Sequence, residues 1–342
     1  MPYQVTIHPS GHSFTVNEDE TILAAALREG FALPYGCRNG ACGSCKGKLL
    51  EGRVDYGKYQ ETTLTREEIA DGKALFCVGR ALTDLVIEVR EISAARDIVA
   101  KTLPSRIQKM DRRADDVMVL YLKLPASERL QFLAGQYLDF LLKDGRRRSY
   151  SIANPPHADD LIELHVRHVP GGLFTDHVFS AMKEKDILRI NGPLGSFFIR
   201  EDSDKPMIFV AGGTGFGPIK AMLQHLFAEA SPRRIVLYWG ARSLKDLYMA
   251  ELPARWQREH DNFSFIPVLS QPKAEDRWDG RTGYVDQAVL KDFEDLSGYQ
   301  VYACGAPAMV DSARASFVRR GLPADEFFAD AFAYAADAER VP

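Results

Sequence analysis

No stretch of the sequence stays apolar for the roughly twenty residues that a membrane-spanning helix needs, and the opening Met1-Pro-Tyr-Gln-Val-Thr6 has no basic segment leading into an apolar one. The expectation is a cytoplasmic protein without membrane insertion. Lysine and arginine form no long runs. With 43 of them against 47 aspartates and glutamates the formal net charge is −4, which leaves no electrostatic footprint for nucleic acid or an anionic lipid surface. Internal repeats and low-complexity tracts are also missing. Cysteine is scarce: five residues among 342, an odd number, with Cys37, Cys42, Cys45 and Cys77 confined to the first quarter. That distribution makes a poor disulfide framework and a good metal site.

What is present is balanced. Hydrophobic residues make up 46% and charged residues 26%, enough to bury real cores, and the length exceeds what one core usually organises, so two or three domains are expected. Residues 3–7 and 12–16 read as short strands around the turn His8-Pro-Ser-Gly11, and Glu18-Asp19-Glu20 reads as the acidic start of a helix whose apolar face lies in Thr21–Arg28. Leu85–Arg90 is a last strand of this first module. Residues 1–95 hold ten Lys/Arg against thirteen Asp/Glu, a net of −3; an acidic module could steer a basic partner, but a solvated surface is the plainer reading. From 103 to 200, alternating segments such as Val117–Leu124 and Leu161–Arg167 predict an antiparallel barrel. After Pro206 come a continuous apolar strand (207–211), a helix (218–229) and a second strand (234–239), the pattern of a doubly wound parallel sheet. The boundaries are set at 1–97, 98–202 and 203–342.

Four motifs carry chemistry. In Cys37-Arg-Asn-Gly-Ala-Cys42-Gly-Ser-Cys45, with Cys77 in Leu75-Phe-Cys-Val78, the spacing is that of a plant-type [2Fe-2S] cluster. Gly36, Gly40 and Gly43 interleave the ligands, as close backbone N–H donors to the cluster require. A zinc site is the alternative, although zinc draws two compact cysteine pairs and these four are three plus one. The second motif is Arg148-Ser-Tyr150-Ser151: an arginine can fork onto a pyrophosphate, a tyrosine ring can lie on a flavin, and a small hydroxyl can bond the flavin's reactive edge. Third, Gly212-Gly213-Thr214-Gly215-Phe-Gly217-Pro218 follows an apolar strand and opens a helix, which aims backbone amides and the helix dipole at a pyrophosphate. The fourth is Tyr302-Ala-Cys304-Gly305-Ala-Pro307 after a strand.

These motifs bring a resemblance. Residues 1–95 are similar to a plant-type ferredoxin domain, which implies a β-grasp fold with the cluster in an exposed loop. The R-x-Y-S, G-T-G-x-x-P and C-G-x-P motifs, with Gly192-Pro-Leu-Gly-Ser-Phe197 between barrel and nucleotide domain, resemble the ferredoxin-NADP reductase superfamily. That resemblance implies a six-stranded antiparallel barrel for FAD and a nicotinamide-binding domain. Arg148 would bind phosphate, Tyr150 pack on the flavin and Ser151 sit near its N5. Val166, Gly172 and Thr175, in the segment leading into the next helix, would contact the cofactor. Gly213, Thr214, Gly215 and Pro218 would receive the dinucleotide. Cys304 with Gly305 would meet the nicotinamide, the thiol helping to position it and not acting as a nucleophile, and Phe332 would cover the flavin. His165 and His168 are read as solvent-facing or strand-packing histidines, since hydride transfer needs neither. NADPH-using members carry Ser-Arg where this chain has Ser270-Gln271-Pro272, so NADH is expected ahead of NADPH; Arg242 stays open for adenosine contacts.

In order and nearly full length, the modules resemble the flavin and iron-sulfur reductases of multicomponent oxygenases and the CDP-6-deoxy-glucoseen reductase group. The implied activity is electron transfer from NADH through FAD and a [2Fe-2S] cluster to a separate terminal acceptor protein, an oxygenase or dehydrase component, with Ser151 and Cys304 at the site of hydride transfer. Two rivals stay open: a redox-sensing iron-sulfur flavoprotein without sustained turnover, and a flavin reductase whose N-terminal cysteines hold zinc.

Overall fold

The computed structural model describes residues 2–92 and 98–333. The chain divides into two compact units, Met1–Val99 with Gly195–Phe197, and Ala100–Leu194 with Phe198–Pro342. The boundary expected at residue 97 lies outside the described residues. No helix among the described residues is long and apolar enough to cross a membrane.

In the first unit, β1 (Tyr3–His8) and β2 (Ser13–Val16) form a hairpin whose alternating Val5, Ile7, Phe14 and Val16 all enter the core. Helix α1 (Ile22–Arg28) is capped by Thr21, whose hydroxyl accepts from the Ala24 N–H at 3.2 Å. Glu18-Asp19-Glu20 therefore precedes the helix and does not form its first turn. Glu20 has better partners than the helix dipole: it accepts from Asn17 N at 2.7 Å and pairs with Arg28 at 2.6 Å. The unit continues through β3 (Lys46–Glu51), β4 (Val54–Asp55), α2 (Arg66–Ala70), β5 (Lys73–Leu75), β6 (Arg80–Ala81) and β7 (Leu85–Glu88). Its main sheet is mixed, in the order β2-β1-β7-β3-β5, with only β1 and β7 parallel.

The second unit begins with β8 (Lys101–Ala114), β9 (Val117–Lys123), β10 (Tyr137–Leu141), β11 (Arg147–Ser151), β12 (Ile162–Arg167), α3 (Leu173–Ser180) and β13 (Ile187–Leu194). The strands make one antiparallel sheet in the order β11-β10-β13-β8-β9-β12, and an isolated bridge joins Ile152 to Leu164. Leu120, Leu138, Phe140, Ile162, Leu164 and Val166 share its core.

There follow β14 (Met207–Gly212), α4 (Phe216–Ala228), β15 (Ile235–Ala241), α5 (Glu251–Glu259), β16 (Phe263–Leu269), β17 (Arg281–Thr282), α6 (Val285–Asp292), β18 (Gln300–Gly305), α7 (Pro307–Arg319) and β19 (Phe327–Ala331). All of these strands pair in parallel, in the order β17-β16-β15-β14-β18-β19. Met207 to Ala211 are completely buried, as a strand covered on both faces demands. The winding reverses between β14 and β18, and in parallel sheets the crevice at such a reversal, beyond the carboxyl ends of the strands, is the ligand site.

At that crevice two turns pack backbone against backbone. A Cβ on Gly215 would stand 2.1 Å from the Cys304 carbonyl oxygen, and one on Gly305 would stand 3.0 Å from Gly212 Cα. Neither neighbour is a flexible side-chain end that could swing away. Gly215→Ala is expected to cost about 1–3 kcal/mol, the usual penalty of overpacking. Gly298, where an added methyl would meet nothing within 4 Å, is the control: thermal melting should show a clear loss for Gly215→Ala and none for Gly298→Ala.

Candidate redox sites

Between α1 and β3 the chain folds into a loop that gathers thiols. Cys37 N donates to Cys42 Sγ at 3.3 Å and Ala41 N to Cys37 Sγ at 3.4 Å. The thiols stand as two hydrogen-bonded pairs, Cys37 with Cys42 and Cys45 with Cys77. The bond from Cys42 pulls the Cys37 thiol down to about 6, and the bond from Cys45 pulls Cys77 down; the partners in those bonds, the partly buried Cys42 and the buried Cys45, are pushed well above the ordinary thiol range. Glycine keeps the loop close: a Cβ on Gly36 would lie 3.1 Å from Cys42 Sγ, and one on Gly40, at φ +76, would lie 2.9 Å from Lys58 O and from Tyr59 Cα. Among the described residues no group of three or more His, Cys, Asp or Glu is gathered to hold a metal ion. Two pairs of thiols with backbone N–H groups aimed at sulfur suit two irons, each taking two thiolates, better than one zinc ion.

In the second unit, β11 carries Arg148, Tyr150 and Ser151. Tyr150 packs against Phe174 and Phe140, with ring centroids 5.4 and 5.8 Å away, and burial pushes its hydroxyl well above the ordinary tyrosine range. Arg148 Nη1 donates to the Arg147 carbonyl at 2.9 Å. Val166 is wholly buried in the core of the antiparallel sheet. Gly172 caps α3, and Thr175 is buried with its hydroxyl engaged inside the loop: it donates to Val169 O at 2.9 Å and accepts from Val169 N at 3.2 Å. His168 pairs with Asp176 at 2.7 Å.

Gly213, Thr214 and Gly215 form a single 3-10 turn between β14 and α4, with Pro218 buried in the helix's first turn. Trp239 Nε1 donates to the Gly213 carbonyl at 3.0 Å and fixes the turn from below. In front of it opens a cavity of about 510 Å³ lined by Arg167, Gly213, Thr214, Arg242, Asp246 and Phe332, among others. Arg167, at the end of β12, stands over the turn: a Cβ on Gly213 would lie 2.9 Å from Arg167 Nη1. Its Nε and Nη2 are buried without a hydrogen-bond partner, although Asp116 Oδ2 is 3.4 Å from Nε. Buried, unpaired donors beside a glycine turn are what a phosphate-binding crevice presents before its ligand arrives.

The crevice also joins the two halves of this unit. Ser151 Oγ donates to Asp330 Oδ2 at 3.4 Å. Asp330 is the register partner of Cys304 across β18 and β19. Cys304 is completely buried, and burial, with a smaller push from Asp330, raises its thiol far above the ordinary range, so that it remains a neutral thiol. Phe332 N donates to Gly305 O at 2.8 Å, which holds Phe332 at the cavity wall. Sequence reasoning singles out Ser151, Cys304 and Phe332 but misses Asp330 and Arg167. Asp330 sits inside a segment whose aromatics draw the eye, and Arg167 sits beside Val166 in a segment marked by its glycines.

Comparison with known proteins agrees with this geometry. Three family models match in succession: a 2Fe-2S iron-sulfur cluster binding domain over residues 5–82, an oxidoreductase FAD-binding domain over 104–199 and an oxidoreductase NAD-binding domain over 209–315. The CDP-6-deoxy-L-threo-D-glycero-4-hexulose-3-dehydrase reductase of Yersinia pestis is 42% identical over 332 residues, spanning 97% of this chain and 99% of its own. Reductase component 2 of the terephthalate 1,2-dioxygenase of a Comamonas species is 38% identical over 333 residues, spanning 97% and 98%. Among solved structures, the Amycolatopsis cytochrome P450 reductase GcoB matches with a TM-score of 0.77 at 34% identity, over 96% of this chain and 98% of that one. With both the three domains and the full-length relatives in agreement, the chain belongs to the family of NAD(H)-dependent flavin iron-sulfur reductases.

Proposed function

We propose that this reductase draws electrons from NADH and delivers them singly to a separate terminal protein, an oxygenase or a deoxysugar dehydrase component. When bound, FAD takes the electron pair as hydride and the [2Fe-2S] cluster takes electrons one at a time. The observation that carries the reading is the bond from Ser151, on the antiparallel sheet, to Asp330, the register partner of Cys304 on the parallel one. Ser151 offers a hydroxyl to the flavin's reactive edge and Asp330 holds that hydroxyl. Cys304, kept neutral by burial, gives the nicotinamide a soft, uncharged wall instead of a competing nucleophile. Arg148 and Tyr150 hold the flavin's phosphate and ring, with Val166, Gly172 and Thr175 shaping the loop beside it, and the antiparallel sheet closes into a barrel with the Ile152–Leu164 bridge at its seam. Gly213, Thr214, Gly215 and Pro218 receive the dinucleotide, Arg167 pairs with its phosphates, and Phe332, beside Gly305, occupies the place the nicotinamide must share. Cys37, Cys42, Cys45 and Cys77 ligate the cluster.

NADH is the donor on this reading because the adenosine end of the cavity is poor in free positive charge. Asp246 is buried there, and Arg242 is already shared between Asp246 at 3.6 Å and Asp116 at 3.8 Å. Gln271 stands in the Ser270-Gln271-Pro272 segment, where the superfamily resemblance implies an arginine for NADPH use. A 2'-phosphate placed beside Arg242 would also meet the Asp246 carboxylate.

An anaerobic titration followed by visible absorbance and low-temperature EPR tests the whole path. NADH should bleach the flavin and raise the signal of a reduced [2Fe-2S] cluster, and NADPH should act far more slowly. Bleaching with no cluster signal would confine the function to flavin chemistry; no reaction would leave the redox-sensor reading. Cys304→Ser should slow bleaching by about tenfold, the scale of a misplaced reactant, with flavin and iron content unchanged. Arg167→Ala should weaken NAD+ binding, measured by calorimetry on the flavin-loaded protein, by about tenfold, as the loss of a charge-assisted hydrogen bond predicts. Equal affinity would remove Arg167 from the phosphate site.

A further inference from the structure

The second unit buries a line of polar side chains that takes no part in the sites described above. Glu163 on β12 and Lys220 on α4 form an ion pair at 3.0 Å, with side chains 11% and 6% exposed. Lys220 Nζ also donates to the Ala153 carbonyl at 2.9 Å and to Gln224 Oε1 at 3.2 Å. His165 lies between Glu163 Oε1 at 2.8 Å and Tyr248 Oη at 2.7 Å. Burial keeps His165 below the ordinary imidazole range and hence neutral; burial pushes Glu163 up, but the bond from His165 and the charge of Lys220 bring it below its ordinary value. The donor order follows. A carboxylate only accepts, so Nε2 of His165 carries the proton, and Tyr248 donates to Nδ1. The Tyr248 ring stands edge-on to Trp239 at 5.3 Å, and Trp239 Nε1 holds the Gly213 carbonyl. The line is continuous from Ala153, two residues past Ser151, to the glycine turn. Gly217, in α4, is close enough that a Cβ there would touch His165 Nδ1 at 3.4 Å and the Ala153 methyl at 3.5 Å.

A buried ion pair adds little stability over an apolar replacement, and none of Glu163, His165, Lys220 and Tyr248 lines the dinucleotide cavity. What the four share is their span: Glu163 and His165 belong to the FAD-binding stretch, Lys220 and Tyr248 to the NAD-binding stretch. We propose that Glu163, His165, Lys220 and Tyr248 are positioning residues for hydride transfer, holding the Gly213–Gly215 turn in fixed register with the strand that carries Ser151. The role rests on the proposed function, in which the nicotinamide gives a hydride, two electrons with one proton, to the flavin and leaves as NAD+.

The test is stopped-flow reduction of the holoenzyme over a range of NADH concentrations, which separates the limiting rate of flavin bleaching from the NADH concentration at half that rate. Tyr248→Phe removes one hydroxyl and keeps the ring packing. It should retain flavin, iron and melting temperature, lower the limiting rate by about threefold or more, and leave half-saturation within about twofold. Lys220→Met should act in the same direction and lower the rate by about tenfold or more; if it cannot hold flavin, Tyr248→Phe decides alone. A wild-type limiting rate in Tyr248→Phe, or a change confined to half-saturation, would overturn the positioning role while the wild-type bleaching kept the proposed function standing. Wild-type protein that binds both cofactors without bleaching would overturn both.

Discussion

The second unit depends on two backbones that touch. The turn after β14 and the turn at the end of β18 approach so closely that Gly215 has the Cys304 carbonyl where a methyl would be, and Gly212 and Gly305 face each other in the same way. Parallel strands on either side of a winding reversal diverge to open a crevice, and these glycines set its depth. The close approach of Gly215 to the Cys304 carbonyl holds the end of β18 against the turn whose Gly213 and Thr214 line the cavity. The β19 partner of Cys304 is Asp330, and Asp330 in turn reaches Ser151. Remove the close approach and each of these neighbours moves.

The cluster loop meets a different constraint with the same residue. Cys37, Cys42 and Cys45 in the loop and Cys77 after β5 would repel one another once ionised, and burial by itself favours the protonated form. The loop answers with backbone N–H groups aimed at sulfur and with pairing, so that one thiol in each pair is pulled down at its partner's expense. A metal centre ligated by thiolates would bind with release of whatever protons the thiols still hold. Gly36 leaves Cys42 Sγ room that a Cβ would take, and Gly40, at positive φ, lets the loop pack against the Lys58 and Tyr59 backbone.

Those features were legible because they are local. Cys37, Cys42 and Cys45 lie within nine positions, the glycine turn follows its strand directly, and apolar runs such as Met207–Ala211 announce a strand buried on both faces. Asp330 and Arg167 were not legible for the opposite reason. Asp330 matters through Ser151, 179 positions away, and Arg167 through a turn on another sheet; in the sequence each is one more charged residue at a strand end. Glu18-Asp19-Glu20 shows the local rule misapplied. Acidic residues ahead of an apolar stretch do favour a helix start, but Thr21 took the cap, and Glu20 was drawn away to Arg28 and Asn17, which offer direct bonds in place of a dipole. The ferredoxin-like and reductase-like modules could be read as wholes because three local signatures occurred in one order, whereas the side chains that join flavin strand to nicotinamide sheet carry no signature.

The two ends of the parallel sheet treat buried charge in opposite ways. At the starts of its strands Arg233 gives its three donor groups to Lys205 O, Arg200 O and Gln300 Oε1 at 2.6, 3.1 and 2.6 Å, while Gln300 passes its amide hydrogen to Glu326 at 2.8 Å and Tyr302 adds a further bond at 3.0 Å. The guanidinium there is satisfied by the chain itself, and its work ends with holding residues 200–205 to the sheet. At the strand ends Arg167 keeps two buried nitrogens without a hydrogen bond. A buried donor left unpaired costs about 1–3 kcal/mol, and a chain that satisfies Arg233 so fully shows no general shortage of acceptors. The deficit at Arg167, eased only by Asp116 at 3.4 Å, falls beside the glycine turn and on the cavity wall, where the proposed dinucleotide phosphates would supply acceptors. The same kind of free energy that stabilises the fold at one end of the sheet is left unspent at the other, which is what the proposed phosphate contact would use.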